Sequence, residues 1–371
     1  MKKVLCFAAA AMAIFASCQK TEVVYSNDGP QEIGIFAVNK VATKAPVSGV
    51  LYPVDYDMQI AAYVSAGTTP SDYFDGTVFT KNDQGTWTGS KYWPLTSSTL
   101  NFLAVTQPAN ADEYTGQVTS VTFGDNSKDF AKKAVVVFEG NKTTVGKFNQ
   151  FDLMFAAGLQ SNSITDGGVG SYQDVGLAFT HALSWINFTV AKNDVTAKIT
   201  VNSIRLSGAS YGGTLTLTNA NYNNSSLSTT SNVTPVWDPI AVATNDVYVP
   251  GGTADTGTGF ANKNESADEA TSVVATTSPV TFGNGLLVVP GEYIASALSF
   301  TINYTIDQDG DAATTSDVNI FEYTYKLPAT TWVYAKKYTY AITMNLTEIE
   351  VVPSVTPWDD DHEAEVNLDK E

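Results

Sequence analysis

The stretch Tyr338-Thr339-Tyr340-Ala341-Ile342-Thr343-Met344-Asn345-Leu346 alternates large apolar side chains with smaller or polar ones. Thr214-Leu215-Thr216-Leu217-Thr218 repeats the same period of two directly after Gly212-Gly213. Successive side chains of a β-strand point to opposite faces of a sheet, so this period is typical of strands with one buried face. Both stretches therefore predict β-sheet.

Turn-forming clusters separate many such runs, for example Asn82-Asp83-Gln84-Gly85, Asn284-Gly285 and Asp307-Gln308-Asp309-Gly310. Short strands at this spacing predict an all-β fold, and 371 residues are enough for two β-sandwich domains of roughly 150 residues each. We place the boundary in the Ser- and Gly-rich stretch 161–173 and predict an N-terminal sandwich over residues 33–165. The C-terminal sandwich is predicted over residues 166–371, with an acidic tail. The Asn-, Ser- and Gly-rich stretch 219–269 predicts surface loops around one short strand at 246–249.

The charge balance excludes one class of partner. Only 16% of the residues are charged, the formal net charge is −18, and Arg205 is the only arginine. A nucleic-acid-binding surface needs a stripe of basic side chains to neutralise phosphates, and this chain has none. We therefore expect no nucleic acid partner.

Few residues are suited to catalysis or metal binding. The two cysteines, Cys6 and Cys18, lie near the N-terminus, and His181 and His362 are the only histidines. His181 lies in an apolar strand, which favours a core histidine over a catalytic one. Asp307–Asp311 lacks the spacing of an EF-hand calcium loop and favours a hairpin turn. We expect no catalytic residues, no metal, no cofactor and no enzyme activity.

The N-terminus has the pattern of an export signal. Met1-Lys2-Lys3 is followed by the apolar run Val4–Phe15, which is too short to span a membrane. Phe15-Ala16-Ser17-Cys18 resembles a bacterial lipobox, in which a small residue precedes the lipidated cysteine. We predict a signal peptide over residues 1–17, lipidation at Cys18 and a lipidated, flexible tether over 18–32. An ordinary signal peptide with a chance cysteine is the alternative.

Several ordered segments together resemble the Bacteroidetes fimbrillin-like family. These are Lys91-Tyr92-Trp93-Pro94, Leu100–Val105 with Pro108, Val175–Leu183, Leu287-Val288-Val289-Pro290-Gly291, Trp332–Tyr340 and Val355-Thr356-Pro357-Trp358. The resemblance covers almost the whole chain after the signal peptide. It implies two sandwiches of Greek-key, transthyretin-like topology and a subunit of a lipoprotein-derived pilus.

The resemblance also implies assembly by strand exchange. A trypsin-like protease would cut behind the first strand, Ile33–Val38, and the vacated groove would accept a strand from a neighbouring subunit. Lys40 and Lys44 are the candidate cleavage sites, although the family's usual site is an arginine. At the other end of the chain, Ala364, Val366 and Leu368 share one face and form a candidate donor strand. A solvated acidic tail is the alternative for these residues.

The expected partners are other pilus subunits, the outer membrane through the lipid anchor, and a ligand on a host or bacterial surface. The expected location is the surface of the outer membrane, in a pilus. The alternative is that the protein is not a pilus subunit but a monomeric surface lipoprotein that binds glycan or host protein through its long loops. The resemblance does not separate stalk, tip and anchor subunits.

Replacing Cys18 tests the lipobox. Cys18→Ala removes the thiol that would carry the acyl chain, so we expect labelled palmitate to disappear from the protein and the precursor to accumulate. The measurement is radiolabel incorporation together with the mass of the intact chain. Incorporation equal to that of the wild type would show that Cys18 is not the lipidation site.

Overall fold

The structure is a computed structural model. It describes residues 23–25, 30–38, 56–64, 71–81, 86–109, 117–126, 131–140, 143–144, 147–148, 150–164, 170–193, 196–219, 233–239, 247–249, 272–308, 318–345 and 348–358. All regular elements in these ranges are β-strands. The same ranges contain no helix that is long and apolar enough to cross a membrane. The all-β prediction is therefore confirmed, whereas the Greek-key topology stays a prediction.

The first strands are β1 (Val23–Tyr25), β2 (Ile35–Val38), β3 (Tyr56–Val64), β4 (Ser71–Lys81), β5 (Trp87–Thr88), β6 (Ser98–Pro108), β7 (Val118–Asn126), β8 (Ala131–Glu139), β9 (Thr143–Thr144) and β10 (Lys147–Phe148). They are followed by β11 (Met154–Ile164), β12 (Gly170–Tyr172), β13 (Val175–Ala178), β14 (Thr180–His181), β15 (Ser184–Lys192), β16 (Lys198–Ser207), β17 (Gly212–Asn219), β18 (Val233–Pro239) and β19 (Val247–Tyr248). The last are β20 (Val273–Val274), β21 (Val280–Thr281), β22 (Leu286–Val288), β23 (Gly291–Tyr293), β24 (Ser299–Asp307), β25 (Val318–Lys326), β26 (Thr330–Trp332), β27 (Lys336–Met344) and β28 (Ile349–Pro357).

The first hydrophobic core lies between a large sheet and a four-stranded one. The large sheet has the strand order β1-β12-β11-β6-β3-β4-β5-β2-β13, and the smaller has the order β18-β17-β8-β7. Their inner faces contribute large buried side chains such as Phe102, Phe155 and Phe138 to one continuous cluster. Burial alternates along β8, which presents one face to this core, whereas β6 is buried on both faces along its middle.

The second core lies between two further sheets. One has the order β21-β15-β27-β28, with β22 also paired to β15, and the other has the order β19-β16-β24-β25. Phe188 of β15, Phe300 of β24 and Tyr340 of β27 pack across the gap, and Phe300 lies 4.9 Å from Phe188 and 4.6 Å from Tyr340 between ring centroids. The alternating stretch that begins at Tyr338 thus lies in β27, an internal strand of this sandwich.

The predicted boundary between residues 165 and 166 does not coincide with the division between the two cores. Strands β12 to β14 follow that boundary but belong to the first core. Strand β17 pairs with β8 over its whole length, so Leu215 and Leu217 are also buried in the first core. The alternation of β17 shows that one face is buried, but it carries no information about which sheet the strand joins.

Two expectations about irregular segments need correction. Val23–Tyr25, within the segment expected to be a flexible tether, forms β1 and pairs antiparallel with β12. The described part of the stretch expected to contain one short strand includes a second one, because Val233–Pro239 also pairs with β17 along its length. Proline at both 235 and 239 weakened the strand signal there, but β18 is an edge strand, where a missing N–H is tolerated.

Tyr340 makes the second core sensitive to alkaline pH. Its hydroxyl accepts a hydrogen bond from the indole N–H of Trp332 at 3.1 Å, and both side chains are buried. Burial raises the pKa of Tyr340 to about 12, because the phenolate would lose its hydration. The folded state therefore holds this proton more tightly than the unfolded chain does.

The pKa of Tyr340 predicts a loss of stability above pH 10. The contribution is complete below pH 10, where the tyrosine of the unfolded chain is still protonated, and it is lost as the pH rises to about 12 at about 1.4 kcal/mol per pH unit. Tyr340→Phe should flatten this part of the curve and, by removing the acceptor of Trp332, cost about 1 kcal/mol at neutral pH. The measurement is urea unfolding from pH 7 to 11.5. If the free energy of unfolding falls equally with pH in the wild type and in Tyr340→Phe, Tyr340 is not the group that causes the loss.

Candidate assembly site at the first strand

Strand β2 has one buried face and one solvent-facing side. Ile33, which precedes it, and Ile35 are completely buried, and Ala37 is 6% exposed, whereas Phe36 between them is 40% exposed. The buried face packs into the first core, so the strand fills a slot in that core. We call this space the β2 slot; it is the space occupied by residues 31–38.

The backbone of residues 31–38 is paired on both sides. On one side β2 runs parallel to β13, with Ile35 opposite Val175 and Val38 opposite Ala178. On the other side Ile33 donates its N–H to the carbonyl of Lys91 at 2.7 Å. A short antiparallel contact with β5 continues this side. The strand is therefore internal to the sheet, although it lies near the start of the chain.

Position 34 of the β2 slot has little room for a side chain. A Cβ atom built on Gly34 would lie 2.3 Å from a carboxylate oxygen of Asp174 and 3.0 Å from the methyl group of Thr86. The Gly34 carbonyl accepts the N–H of Val175 at 2.8 Å, which fixes the backbone beside these groups. Any larger residue at this position would force Asp174 to turn aside.

The first core depends strongly on occupation of the β2 slot. Burial of each of the two isoleucines contributes roughly 1.5–3 kcal/mol, and each backbone hydrogen bond contributes about 1 kcal/mol net. Their sum is comparable to the whole stability of a typical domain, about 5–15 kcal/mol. Among the described strands, β13 pairs only with β2. An empty slot would thus expose an apolar groove and leave β13 without the strand partner it has here.

The C-terminal segment begins at the junction between the two cores. Trp358 follows β28 of the second sandwich, yet its side chain is 1% exposed and belongs to the first core. Its ring stacks flat on His181 at 4.0 Å and lies 5.6 Å from Trp185. The last described residue of the chain is therefore fixed where the two sandwiches meet.

His181 is a core histidine, as the sequence predicts. Its Nδ1 lies 2.8 Å from a carboxylate oxygen of Asp152, and both side chains are almost completely buried. The backbone N–H of Asp152 also donates a hydrogen bond to the hydroxyl of Tyr56 at 2.9 Å, which further fixes the position of Asp152. The pair orients the imidazole ring against Trp358 and supports packing at the junction.

The predicted site residues lie outside the described part of the chain: Cys18, Lys40, Lys44, Ala364, Val366 and Leu368. Their roles stay predictions. Sequence reasoning identified the first strand but missed Gly34 and Asp174, because a glycine between two isoleucines looks like ordinary strand sequence. The sequence also carries no signal that the rings of His181 and Trp358 stack, because the two residues lie far apart in the chain.

A sequence model of the family described as fimbrillin-like matches residues 26–358 of this chain. The matched range includes both the β2 slot and Trp358. A search of curated proteins gives no match.

Solved structures show distant similarity over nearly their whole length. A fimbrial protein of Bacteroides vulgatus is 18% identical, with 88% of this chain and 99% of that chain covered and a TM-score of 0.49. A candidate cell adhesion protein of Bacteroides ovatus is 13% identical, with 89% and 98% covered and a TM-score of 0.47. Another from Bacteroides uniformis is 14% identical, with 90% and 100% covered and a TM-score of 0.41. At this distance the similarity carries no argument about function.

Two substitutions on β2 test the slot. Ile35→Asp places a carboxylate in the apolar core and should lower the free energy of unfolding by several kcal/mol. Phe36→Asp adds the same charge one residue away, on the solvent-facing side, and should cost about 1 kcal/mol or less. The measurement is urea unfolding of both full-length variants. Equal losses of unfolding free energy would contradict the structure, in which one face of β2 is buried and the other is exposed.

Proposed function

The chain belongs to the fimbrillin-like family, and on that premise we propose that it is a non-enzymatic subunit of a cell-surface pilus. It is exported as a lipoprotein that carries its acyl chains on Cys18, and it reaches the surface of the outer membrane. Proteolysis then frees the β2 slot, and a strand of a neighbouring subunit fills it. The partners are other pilus subunits, and the adhesive ligand lies on a host or bacterial surface.

The observation that carries this proposal is the position of β2. An internal strand with a fully buried face is a costly element to lose, and here it lies at the N-terminal end of the chain. Lys40 and Lys44 follow it directly in the sequence, so one cut would separate the strand from the rest of the sandwich. A slot of this kind offers both backbone partners and apolar pockets to an incoming strand.

The same cut would remove β1 as well as β2. These strands pair with β12 and β13, which are consecutive in the chain. The N-terminal segment therefore covers the stretch 170–178 along its length. After cleavage both contacts would become free for exchange, and the exposed edges would favour pairing with another chain.

The proposed absence of enzyme activity rests on the chemistry of the described polar groups. The buried pair Asp152 and His181 is enclosed by the junction, and Trp358 covers the imidazole face. A catalytic histidine must reach a substrate, whereas this ring is 2% exposed. The pair of Asp152 and His181 therefore has a structural role in packing at the junction.

Limited trypsin digestion tests the cleavage step. We expect cuts after Lys40 or Lys44 before any cut in the second sandwich, and the remaining fragment should stay folded. The trimmed subunits should then assemble into a ladder of high-molecular-weight species on a gel loaded without heating. The double variant Lys40→Gln, Lys44→Gln should form neither the fragment nor the ladder. Lys326→Gln, an exposed lysine on β25, is the matched control and should behave as wild type. First cuts inside the second sandwich, or trimming without assembly, would contradict the proposal.

The tail is tested in the same assay. Val366→Asp puts a carboxylate on the apolar face of the candidate donor strand, and the ladder should weaken sharply because an unpaired buried charge costs several kcal/mol. His362→Asp adds one negative charge to the same tail outside that strand and should leave the ladder intact. If Val366→Asp also leaves it intact, then residues 364–368 are only an acidic end and another strand serves as donor.

A further inference from the structure

The β2 slot imposes a different requirement at each of its positions. The positions of Ile33, Ile35 and Ala37 are buried and need apolar side chains, the last a small one. The position of Phe36 is open to solvent and accepts a polar residue. The position of Gly34 is the most selective, because Asp174 lies over it. These requirements can be applied to the tail sequence Ala364-Glu365-Val366-Asn367-Leu368.

A tail strand that runs in the direction of β2 fits poorly. With Val366 at the position of Ile35, the three apolar residues enter the core, but Glu365 falls at the position of Gly34. Its side chain would meet the carboxylate of Asp174, and two negative charges a few ångström apart repel each other. Every side chain at this position requires Asp174 to move, and the charge of Glu365 disfavours this register in addition.

Shifting the tail by two residues in this direction does not help. One shift places Glu363 at the position of Gly34, with the same repulsion. The opposite shift places Lys370 at the position of Ala37, which is buried. A buried, unpaired ammonium group is strongly unfavourable. No register in the direction of β2 satisfies the whole slot.

In one register the reversed direction places apolar residues at all the buried positions and brings no second negative charge to Asp174. It aligns Leu368 with Ile33, Asn367 with Gly34, Val366 with Ile35, Glu365 with Phe36 and Ala364 with Ala37. The acidic residue then faces solvent. When Asp174 turns aside to admit the side chain of Asn367, its carboxylate can accept a hydrogen bond from the amide of that residue.

We propose that the β2 slot takes the segment Ala364–Leu368 of a second copy of this chain in the direction opposite to β2, with Asp174 as the residue that selects direction and register. The inference rests on the proposed strand exchange. The donor would run antiparallel to β13, whereas β2 runs parallel to it. Antiparallel pairing is slightly more stable per residue, so the exchanged strand would gain on this side. Residues 87–93 would lie parallel to it.

Cysteine cross-linking between two preparations tests the direction. Gly176 of β13 lies opposite Phe36 and has open space around it. The cysteine of Gly176→Cys can therefore form a disulfide with a cysteine of the donor strand that takes the place of Phe36. This variant, trimmed by trypsin, is mixed with chains that carry Glu365→Cys, Asn367→Cys or Asp369→Cys, and the mixture is mildly oxidised. Trimming removes both native cysteines, Cys6 and Cys18, and mixing allows only links between copies.

We expect a band of twice the subunit mass with Glu365→Cys and loss of that band with the other two. A strand in the direction of β2 with Ala364 at the position of Ile35 would also place Glu365 opposite Gly176, so a second reporter, Ala178→Cys opposite Val38, is mixed with chains that carry Glu363→Cys or Asn367→Cys. The reversed strand should link Ala178→Cys to Glu363→Cys. A link of Ala178→Cys to Asn367→Cys would place the strand in the direction of β2 and overturn the proposal, as would a link of Gly176→Cys through Asn367 or Asp369 or a ladder with no link at all. Absence of any ladder would instead refute strand exchange itself. The two failures are thus distinguishable.

Charge variants test the role of Asp174. Asn367→Asp creates the like-charge pair at the position of Gly34, so the ladder should fall sharply. Combining it with Asp174→Asn, which keeps the shape and removes the charge, should restore the ladder. Gly124→Asp, an acidic residue placed on an exposed and open position of β7 in the other sheet of the sandwich, is the control and should leave the ladder unchanged. A loss that Asp174→Asn does not rescue would show that Asp174 does not select the strand.

Discussion

The pairing of β2 with β13 and with residues 87–93 is the interaction on which the first sandwich depends. It places β2 between two partners, residues 87–93 and 175–178, that come much later in the chain. Such non-local pairing is expensive in loop-closure entropy, and it forms only because burial of Ile33 and Ile35 is large. In the proposed strand exchange, one cut would remove this element, and the incoming strand would have to satisfy the same backbone and apolar groups.

Trp358 joins the two sandwiches from the other end of the chain. Its ring lies in the first core while the preceding strand, β28, belongs to a sheet of the second. The imidazole of His181 provides a flat partner, and Asp152 fixes the orientation of that ring. Strands β17 and β18 also cross from the second half of the chain into the first core. The two sandwiches are thus connected by segments of the second half of the chain that belong to the first core, as well as by side-chain contacts.

The period of two predicted the fold class and the buried faces of β17 and β27, whereas the importance of the first strand was implied by the resemblance to the fimbrillin-like family. It could not predict the partner of β17, because alternation records burial and not neighbours. The contribution of position 34 was also hidden, because the clash arises from Asp174, which lies 140 residues later in the sequence. Likewise His181 looked like a core residue from its apolar neighbours, whereas its stacking on Trp358 depends on how two sandwiches meet.

The fixed position of Trp358 limits where a donor strand can act. Trp358 is buried in the first core of its own subunit, and the six steps from Trp358 to Ala364 span at most about 20 Å. In the proposed exchange, a neighbour's β2 slot would therefore have to open close to the junction of the two sandwiches. The junction, through Trp358 and His181, would then set the spacing and angle between subunits, whereas Asp174 would set which way the strand runs. A substitution at the junction would alter the geometry of assembly without touching the slot, and a substitution at Asp174 would do the reverse.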